Sequence, residues 1–419
     1  MVGFAMVQVE TSKSFRQRLL LSTLSGKAVR IGSIREDEDT PGLRDYEISY
    51  LRLLEKVTNG CVIEISYSGT TVVYRPGVIT GGKFTHDCPN SRGIGYFLEP
   101  LIALAPFAKT PLAVTLNGVT NDNLDVSVDT LRTVTLPQLK RFGIEDGLEL
   151  KISKRGASPN GGGQVFFRCP TVRQLKTLQL TEEGTIKRIR GIAYATRLSP
   201  QMANRVVESA RSLLTRYIPD VYIYTDVYKG PDSGNSPGYA LTLVAESTTD
   251  VLLSAECAFR PRPAPKSDMM IPALTSDKPH NNHHQYQHNN DPQYPSPPGS
   301  PAQPKIITEV VADSLQNDYA FPTPEDLGIR TARLLLQEIK KGGCVDTISQ
   351  WMVLLFMAMG PEDVGKVRLG ALSTFTQSYL RDIQKFLGVT FKITPDQETR
   401  TVLLSCVGSG SLNVSKSAS

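Results

Sequence analysis

The stretch that most limits the possible folds is Ile348 to Met359, I-S-Q-W-M-V-L-L-F-M-A-M. It is apolar almost all round. It is too short to span a bilayer and has no polar face to turn to water, so it must be buried inside a protein core. A second helix is predicted from Thr374 to Leu387. Its apolar residues Phe375, Tyr379, Leu380, Ile383, Phe386 and Leu387 fall on one broad stripe, with Arg381 and Lys385 on the outer face. A strand over Val389–Ile393 is expected to close this unit.

A buried helix of that kind needs a large protein around it. The 419 residues are 40% hydrophobic and 21% charged, an ordinary globular balance for two domains or one large domain with an insert. A net charge of +5 permits a polyanionic partner without demanding one. The six cysteines, Cys61, Cys88, Cys169, Cys257, Cys344 and Cys406, are scattered with no C-x-x-C pair. That pattern suits reduced thiols in a nuclear or cytosolic protein and argues against a zinc site. No signal peptide and no membrane span are expected, because no basic segment precedes a long apolar run.

Taken in order, the chain reads as strand, helix, strand, helix and hairpin up to Tyr74. The Tyr46–Val57 helix carries its stripe on Ile48, Leu51, Leu54 and Val57, and Ser68-Gly69 turns the hairpin. A similar rhythm recurs from Phe84 to Arg168 and again from Pro304. Between them lies a different unit. Ile186–Thr196, Val221–Tyr228 and Tyr239–Ala245 read as strands, and Ser199-Pro200 opens a helix with Met202, Val206, Ala210, Leu213 and Leu214 on one face. From Arg260 to Gln303 the composition falls to Pro, His, Asn, Gln and Ser, which cannot bury enough apolar surface to offset ordering entropy. Thr323-Pro324-Glu325-Asp326 then caps a helix running to Lys341.

The chemistry-bearing residues are few. Four of the five histidines, His280, His283, His284 and His288, lie in the low-complexity segment, where no fold orients them toward a metal. His86 reads as a loop or core histidine. Gly161-Gly162-Gly163 resembles a phosphate cradle but leads into a strand, so it reads as a tight turn. Lys13, Arg16, Arg18, Lys27 and Arg30 near the start, with Arg381 and Lys385, form a candidate phosphate-facing surface, although solvated helix faces explain such residues equally well. Arg381, Asp382 and Lys385 could instead act as a hydrolytic cluster, with a carboxylate to orient water and cations to stabilise the transition state. No metal site and no cofactor are expected.

Several short motifs occur in one order: Thr40-Pro-Gly-Leu-Arg44, Tyr74-Arg-Pro-Gly77 with Gly81-Gly82, Gly118-Val-Thr-Asn121, Lys154-Arg-Gly-Ala-Ser-Pro-Asn-Gly-Gly-Gly-Gln164 and Ser373-Thr-Phe-Thr-Gln-Ser378. In that order and spacing the chain resembles the RNA 3'-terminal phosphate cyclase family. The resemblance implies an α/β (α+β) fold, with three repeated βααβ-type units in a large domain and a small β-α-β-β domain inserted. The implied boundaries are 1–184 for the first part of the large domain, 185–259 for the insert, 260–303 for a disordered linker, 304–406 for the completing part and 407–419 for a flexible tail.

In that family a histidine takes adenylate from ATP. The matching position here is Phe375, and a phenyl ring has no lone pair to attack phosphorus. The family's Asp-Gln pair falls on Trp351 and Met352, and its nearby tyrosine on Ile348. Its glycine-rich motif becomes Glu10 followed by Thr11-Ser-Lys-Ser-Phe-Arg16, and an arginine segment becomes Glu36-Asp37-Glu38. The resemblance, including Gly95-Tyr-Phe-Leu-Glu-Pro100, therefore points to a non-catalytic nucleolar branch. That branch implies a part in small-subunit (40S) ribosome biogenesis, in early pre-rRNA processing toward 18S rRNA within the small-subunit processome. It also implies binding to a nucleolar GTPase and to pre-rRNA, and no membrane. The alternative is a pre-rRNA endonuclease using Arg381, Asp382 and Lys385.

Overall fold

Two parallel neighbouring strands need a crossover between them, and among the described residues each of four such pairs has a helix in its crossover. In the computed structural model, which describes residues 6–259 and 323–413, β1 (Val7–Val9) and β2 (Val29–Ile31) are joined by α1 (Phe15–Ser25). Next come α2 (Asp45–Val57), β3 (Thr58–Asn59), β4 (Val62–Ile65), β5 (Val72–Arg75) and β6 (Val78–Ile79). The sheet order is β1-β2-β5-β4, and β3 and β6 form a separate ribbon. The second unit holds β7 (Gly82–Asp87), α3 (Ile94–Leu104), β8 (Leu112–Gly118), an irregular helix α4 spanning 128–141, β9 (Glu149–Lys154) and β10 (Gly163–Cys169). Its order is β7-β8-β10-β9.

A short β11 (Gln179–Leu180) precedes the insert, which contains β12 (Ile186–Thr196), α5 (Pro200–Leu214), β13 (Val221–Tyr228), β14 (Gly238–Ser247), β15 (Leu252–Ala258) and α6 (Pro324–Lys341). Beyond it come α7 (Gln350–Ala358), β16 (Val364–Leu369), α8 (Thr374–Leu387), β17 (Lys392–Asp396) and β18 (Thr401–Val407). Leu180 pairs with Val367 across the insert, giving the order β11-β16-β18-β17. All three sheets thus have one parallel pair followed by two antiparallel pairs. Each unit is β-α-β-α-β-β, richer than the βααβ shorthand by two strands, one between the helices and one in the closing hairpin.

The insert differs from its sequence reading in two ways. It has a fourth strand, β15, giving the order β13-β12-β14-β15. It also claims α6, which was expected in the completing part of the large domain. Gly328 allows this packing: a Cβ there would come within 2.4 Å of the Val206 carbonyl oxygen on α5. Arg205 on α5 also pairs with Glu325 on α6 at 2.6 Å.

α7 is buried from Gln350 through Met359, as an all-round apolar helix requires. It starts later than expected, because Asp346 Oδ1 accepts from the Ser349 N–H at 2.9 Å and holds Ile348 in a turn. The expected tail is docked as far as Asn413. The Ser409 N–H reaches the Ala358 carbonyl at 2.8 Å and the Gly410 N–H reaches that of Gly360 at 2.9 Å, satisfying carbonyls left open at the end of α7. The Asn413 side chain donates to the Ala108 carbonyl at 2.9 Å. The strand expected from Val389 begins at Lys392, after Gly388 ends α8 with a positive φ of 75°. The linker predicted over 260–303 and the stretch 304–322 lie outside the described residues.

Candidate functional site

The sites of the lost polar groups come together where the start of α7 meets α1, α3 and the start of α8. Gln350 and Thr376 join the two helix starts, with the Thr376 hydroxyl 2.9 Å from Gln350 Oε1. Trp351 and Met352 are buried, while Ile348 and Phe375 are half-buried. The Phe375 ring stacks on Tyr379 at 6.0 Å and 7°, and Trp351 meets the same tyrosine edge-on at 5.6 Å and 86°. Tyr379 is fully buried, and its hydroxyl has no partner among the described residues. Burial holds its pKa well above the usual phenol value.

Arg16 lies beside this aromatic cluster and is not free for phosphate. Its Nη2 donates to Glu99 Oε2 at 2.6 Å, and its Nη1 donates to the Tyr96 carbonyl at 2.7 Å. Its guanidinium lies 4.7 Å from the Tyr96 ring centre, and that of Arg92 lies 4.5 Å from the same ring. Trp351 Nε1 donates to the other Glu99 oxygen at 3.3 Å. Burial raises the Glu99 pKa, while Arg16 and the indole pull it back. A guanidinium does not give up its proton in such a site, so the two form a buried ion pair.

Arg18 is spent in the same way. Its Nε donates to Asp382 Oδ2 at 3.0 Å and its Nη1 to the Thr11 carbonyl at 3.1 Å. The side chains of Arg18 and Asp382 are only 12% and 8% exposed. The expected phosphate-facing surface therefore loses Arg16 and Arg18, and the hydrolytic cluster loses its carboxylate. Asp382 points inward while Arg381 and Lys385 are exposed on α8, so the three do not converge. Lys13, Arg381 and Lys385 make no ion pair among the described residues. The Lys385 carbonyl accepts from Lys27 Nζ at 3.2 Å, which brings the half-buried Lys27, between α1 and β2, against the end of α8.

An adenylate does not fit this arrangement. Phe375, matched in the sequence to the family's histidine, carries a stacked phenyl ring, and the Arg16 guanidinium beside the cluster already holds a carboxylate. Among the described residues, no group of three or more His, Cys, Asp or Glu side chains could hold a metal ion. Among them, too, no helix is long and apolar enough to cross a membrane. Sequence reasoning missed Glu99 and Tyr379. The signal for Glu99 was present, as a lone acid in the apolar helix I-G-Y-F-L-E-P-L-I-A-L.

His86 proves to be a core histidine, 5% exposed, with Nε2 2.9 Å from Ser49 Oγ and its ring 5.7 Å from Phe97. Burial, then Lys56 and Arg52, lower its pKa to about 4, against the opposing pull of Asp87. The unfolded chain therefore takes up this proton first. Stability is complete above the ordinary histidine value near pH 6.5 and falls as the pH drops toward 4, by up to about 2–3 kcal/mol. Glu256 acts in the opposite sense: burial raises its pKa to about 7, so acidification below 7 favours the fold. The His86 contribution should be read as the difference in urea midpoint between the wild type and His86→Asn at pH 7 and pH 5. A difference independent of pH would refute this assignment.

A profile of the RNA 3'-terminal phosphate cyclase family matches residues 7–393. A Dictyostelium discoideum protein named "Probable RNA 3'-terminal phosphate cyclase-like protein" is 50% identical over 98% of this chain and 100% of its own length. A human protein named "RNA 3'-terminal phosphate cyclase-like protein" is 48% identical over 96% of this chain and 95% of its own. A Schizosaccharomyces pombe protein named "rRNA processing protein rcl1" is 43% identical over 95% of this chain and 94% of its own. With the three like-ordered sheets, the insert and the α7–α8 site in place, this chain belongs to the RNA 3'-terminal phosphate cyclase family.

Proposed function

We propose that the chain is a non-catalytic ribosome biogenesis factor for the small subunit. It acts in the nucleolus, in early pre-rRNA processing toward 18S rRNA within the small-subunit processome, through a nucleolar GTPase and pre-rRNA. The observation that carries the reading is Phe375, stacked on Tyr379 where the family's nucleophile stands, beside an Arg16 already neutralised by Glu99. The processing role is supported by the name of the fission yeast relative. Lys13, Arg381 and Lys385 remain available as exposed positive charge toward RNA phosphates. The endonuclease alternative is disfavoured, because Asp382 is engaged by Arg18.

Neither the wild-type protein nor Phe375→His should form a covalent adenylate when incubated with labelled ATP and magnesium. Restoring the imidazole leaves Trp351, Met352 and the Arg16–Glu99 pair in place. The variant also loses a ring stack of about 0.5–1.5 kcal/mol. A labelled protein band from either form would overturn the non-catalytic reading. Depletion in cells should lower 18S rRNA and accumulate its uncleaved precursor, and an unchanged 18S level would overturn the processing role.

A further inference from the structure

The inserted sheet covers its two faces unequally. Ile189, Ile223 and Leu243 are buried on the side packed by α5 and α6. Alternation sends their strand neighbours to the other side. On that outer side the β15 half is covered: Glu256 accepts from the Ser127 N–H at 2.9 Å and Asp346 Oδ2 accepts from the Ser254 N–H at 3.1 Å. In the β13–β12 half Arg155 covers Tyr194 and Tyr228, and the end around Arg190, Tyr222 and Tyr224 stays open among the described residues. Tyr222 and Tyr224 stand on it, 55% and 56% exposed, with ring centres 4.5 Å apart and planes at 84°. Among the described residues β13 is the edge strand, and no other strand borders the tyrosines on that side.

What surrounds the two rings decides the kind of partner. Arg190 is the cross-strand neighbour of Tyr222, and Ile192 that of Tyr224. Asp220 grips the Arg190 guanidinium with two bonds, at 2.7 and 2.8 Å, fixing its plane. Glu246 holds Arg188 and Lys187, each at 2.8 Å. These cations are between a third and a half exposed, so they keep unused N–H donors toward solvent. Asp226, further along β13, is taken by Arg155. A groove of about 210 Å3 with an apolar floor of Ile192 and Val244 runs from Tyr224 toward Thr133.

We infer that this open part of the inserted sheet binds single-stranded RNA, with bases stacked on Tyr222 and Tyr224 and phosphates against Arg188 and Arg190. The two rings meet edge to face, 4.5 Å apart, so a base stacks on the free face of one ring while the other borders it. Exposed aromatic faces interleaved with oriented guanidiniums suit alternating flat bases and phosphates. Tyrosine and arginine also recur at protein interfaces, so a protein partner is the outcome that the titration separates from RNA. The inference rests on the reading of the chain as a pre-rRNA-binding factor, and adds a second RNA-facing surface remote in sequence from Lys13, Arg381 and Lys385.

The test uses the full chain and a fluorescent oligouridylate of about 12 nucleotides, titrated by anisotropy at about 0.1 M salt. The wild type is expected to bind. Tyr222→Ala/Tyr224→Ala should weaken binding about tenfold or more, while Tyr222→Phe/Tyr224→Phe should stay within about twofold, since a phenyl ring still stacks. Melting temperatures should match the wild type, because both rings are exposed. If the alanine pair binds as the wild type does, the platform is overturned and the pre-rRNA reading survives, with a protein partner as the occupant to seek. If the phenylalanine pair is lost equally, stacking is not the contact and the proposal also falls. If the wild type does not bind at all, while Lys13→Glu/Arg381→Glu/Lys385→Glu behaves identically, direct RNA binding itself is refuted.

Discussion

Arg155→Ala is expected to lower stability by about 3–5 kcal/mol, the cost of leaving buried charge without its partner. The Arg155 side chain is fully buried. Its Nη1 and Nη2 donate to the two Asp129 oxygens at 2.6 and 2.9 Å, and its Nε and Nη2 donate to Asp226 Oδ2 at 3.0 and 2.8 Å. The guanidinium also lies 4.5 Å from the Tyr194 ring centre and 5.6 Å from that of Tyr228. Asp129 belongs to the second repeated unit, whereas Asp226, Tyr194 and Tyr228 belong to the insert. One side chain therefore ties the two together. Arg155→Lys keeps the charge but not the planar fork, and should recover only part of the loss. Thermal melts of the three proteins, with hydrogen exchange of the β12 and β13 amides, measure both effects. A melting point for Arg155→Ala within a degree of the wild type would show that the tie is not needed.

The second large effect separates stability from chemistry at Asp382. With Arg18 and Asp382 both nearly buried, Arg18→Met leaves the carboxylate unpaired and should cost about 2–4 kcal/mol. Asp382→Asn keeps one acceptor for the guanidinium and should cost less, about 1–2 kcal/mol. In a double-mutant cycle the two changes should couple strongly, since they remove one interaction. In cells, any processing defect of Asp382→Asn should follow the amount of folded protein. A nuclease would behave otherwise: Asp382→Asn would be stable, fully associated with pre-ribosomal particles, and unable to support cleavage. That outcome would reinstate the alternative. Arg381→Glu/Lys385→Glu should leave stability unchanged because both residues are exposed, but should weaken association and make it less salt-dependent than the wild type's, because fewer phosphates are neutralised.

Much of the secondary structure could be read from local pattern. Ile186–Thr196 and Val221–Tyr228 alternate cleanly and form strands over those same residues. Ser199 caps α5, its hydroxyl accepting from the Gln201 N–H, as a Ser-Pro start suggests. The boundary of the insert could not be read, because α6 is separated in sequence from the sheet it covers. Its own pattern says that one face is buried, not against what. The three sheets were legible only as a rhythm, since a shared strand order is a statement about pairing between distant segments.

At the site, sequence alone determined what cannot happen at residue 375. Whether a side chain has a lone pair is a property of the residue and needs no fold. The sequence equally determined that the run from Trp351 to Met359 would be interior, because nothing on it can face water, whereas Ile348, held in the turn before α7, is only half-buried. Only the tertiary structure decided the fate of the charges. Arg16 and Arg18 look like any solvated arginines until α1 is laid against α3 and α8, where Glu99 and Asp382 meet them. Tyr222 and Tyr224 look like ordinary strand residues until the rest of their sheet is covered and they are not. The reason is one of range. Apolar periodicity is written within a few residues, whereas an ion pair in a desolvated place depends on which surfaces meet. That meeting turns a cation from a ligand for phosphate into the partner of a buried carboxylate.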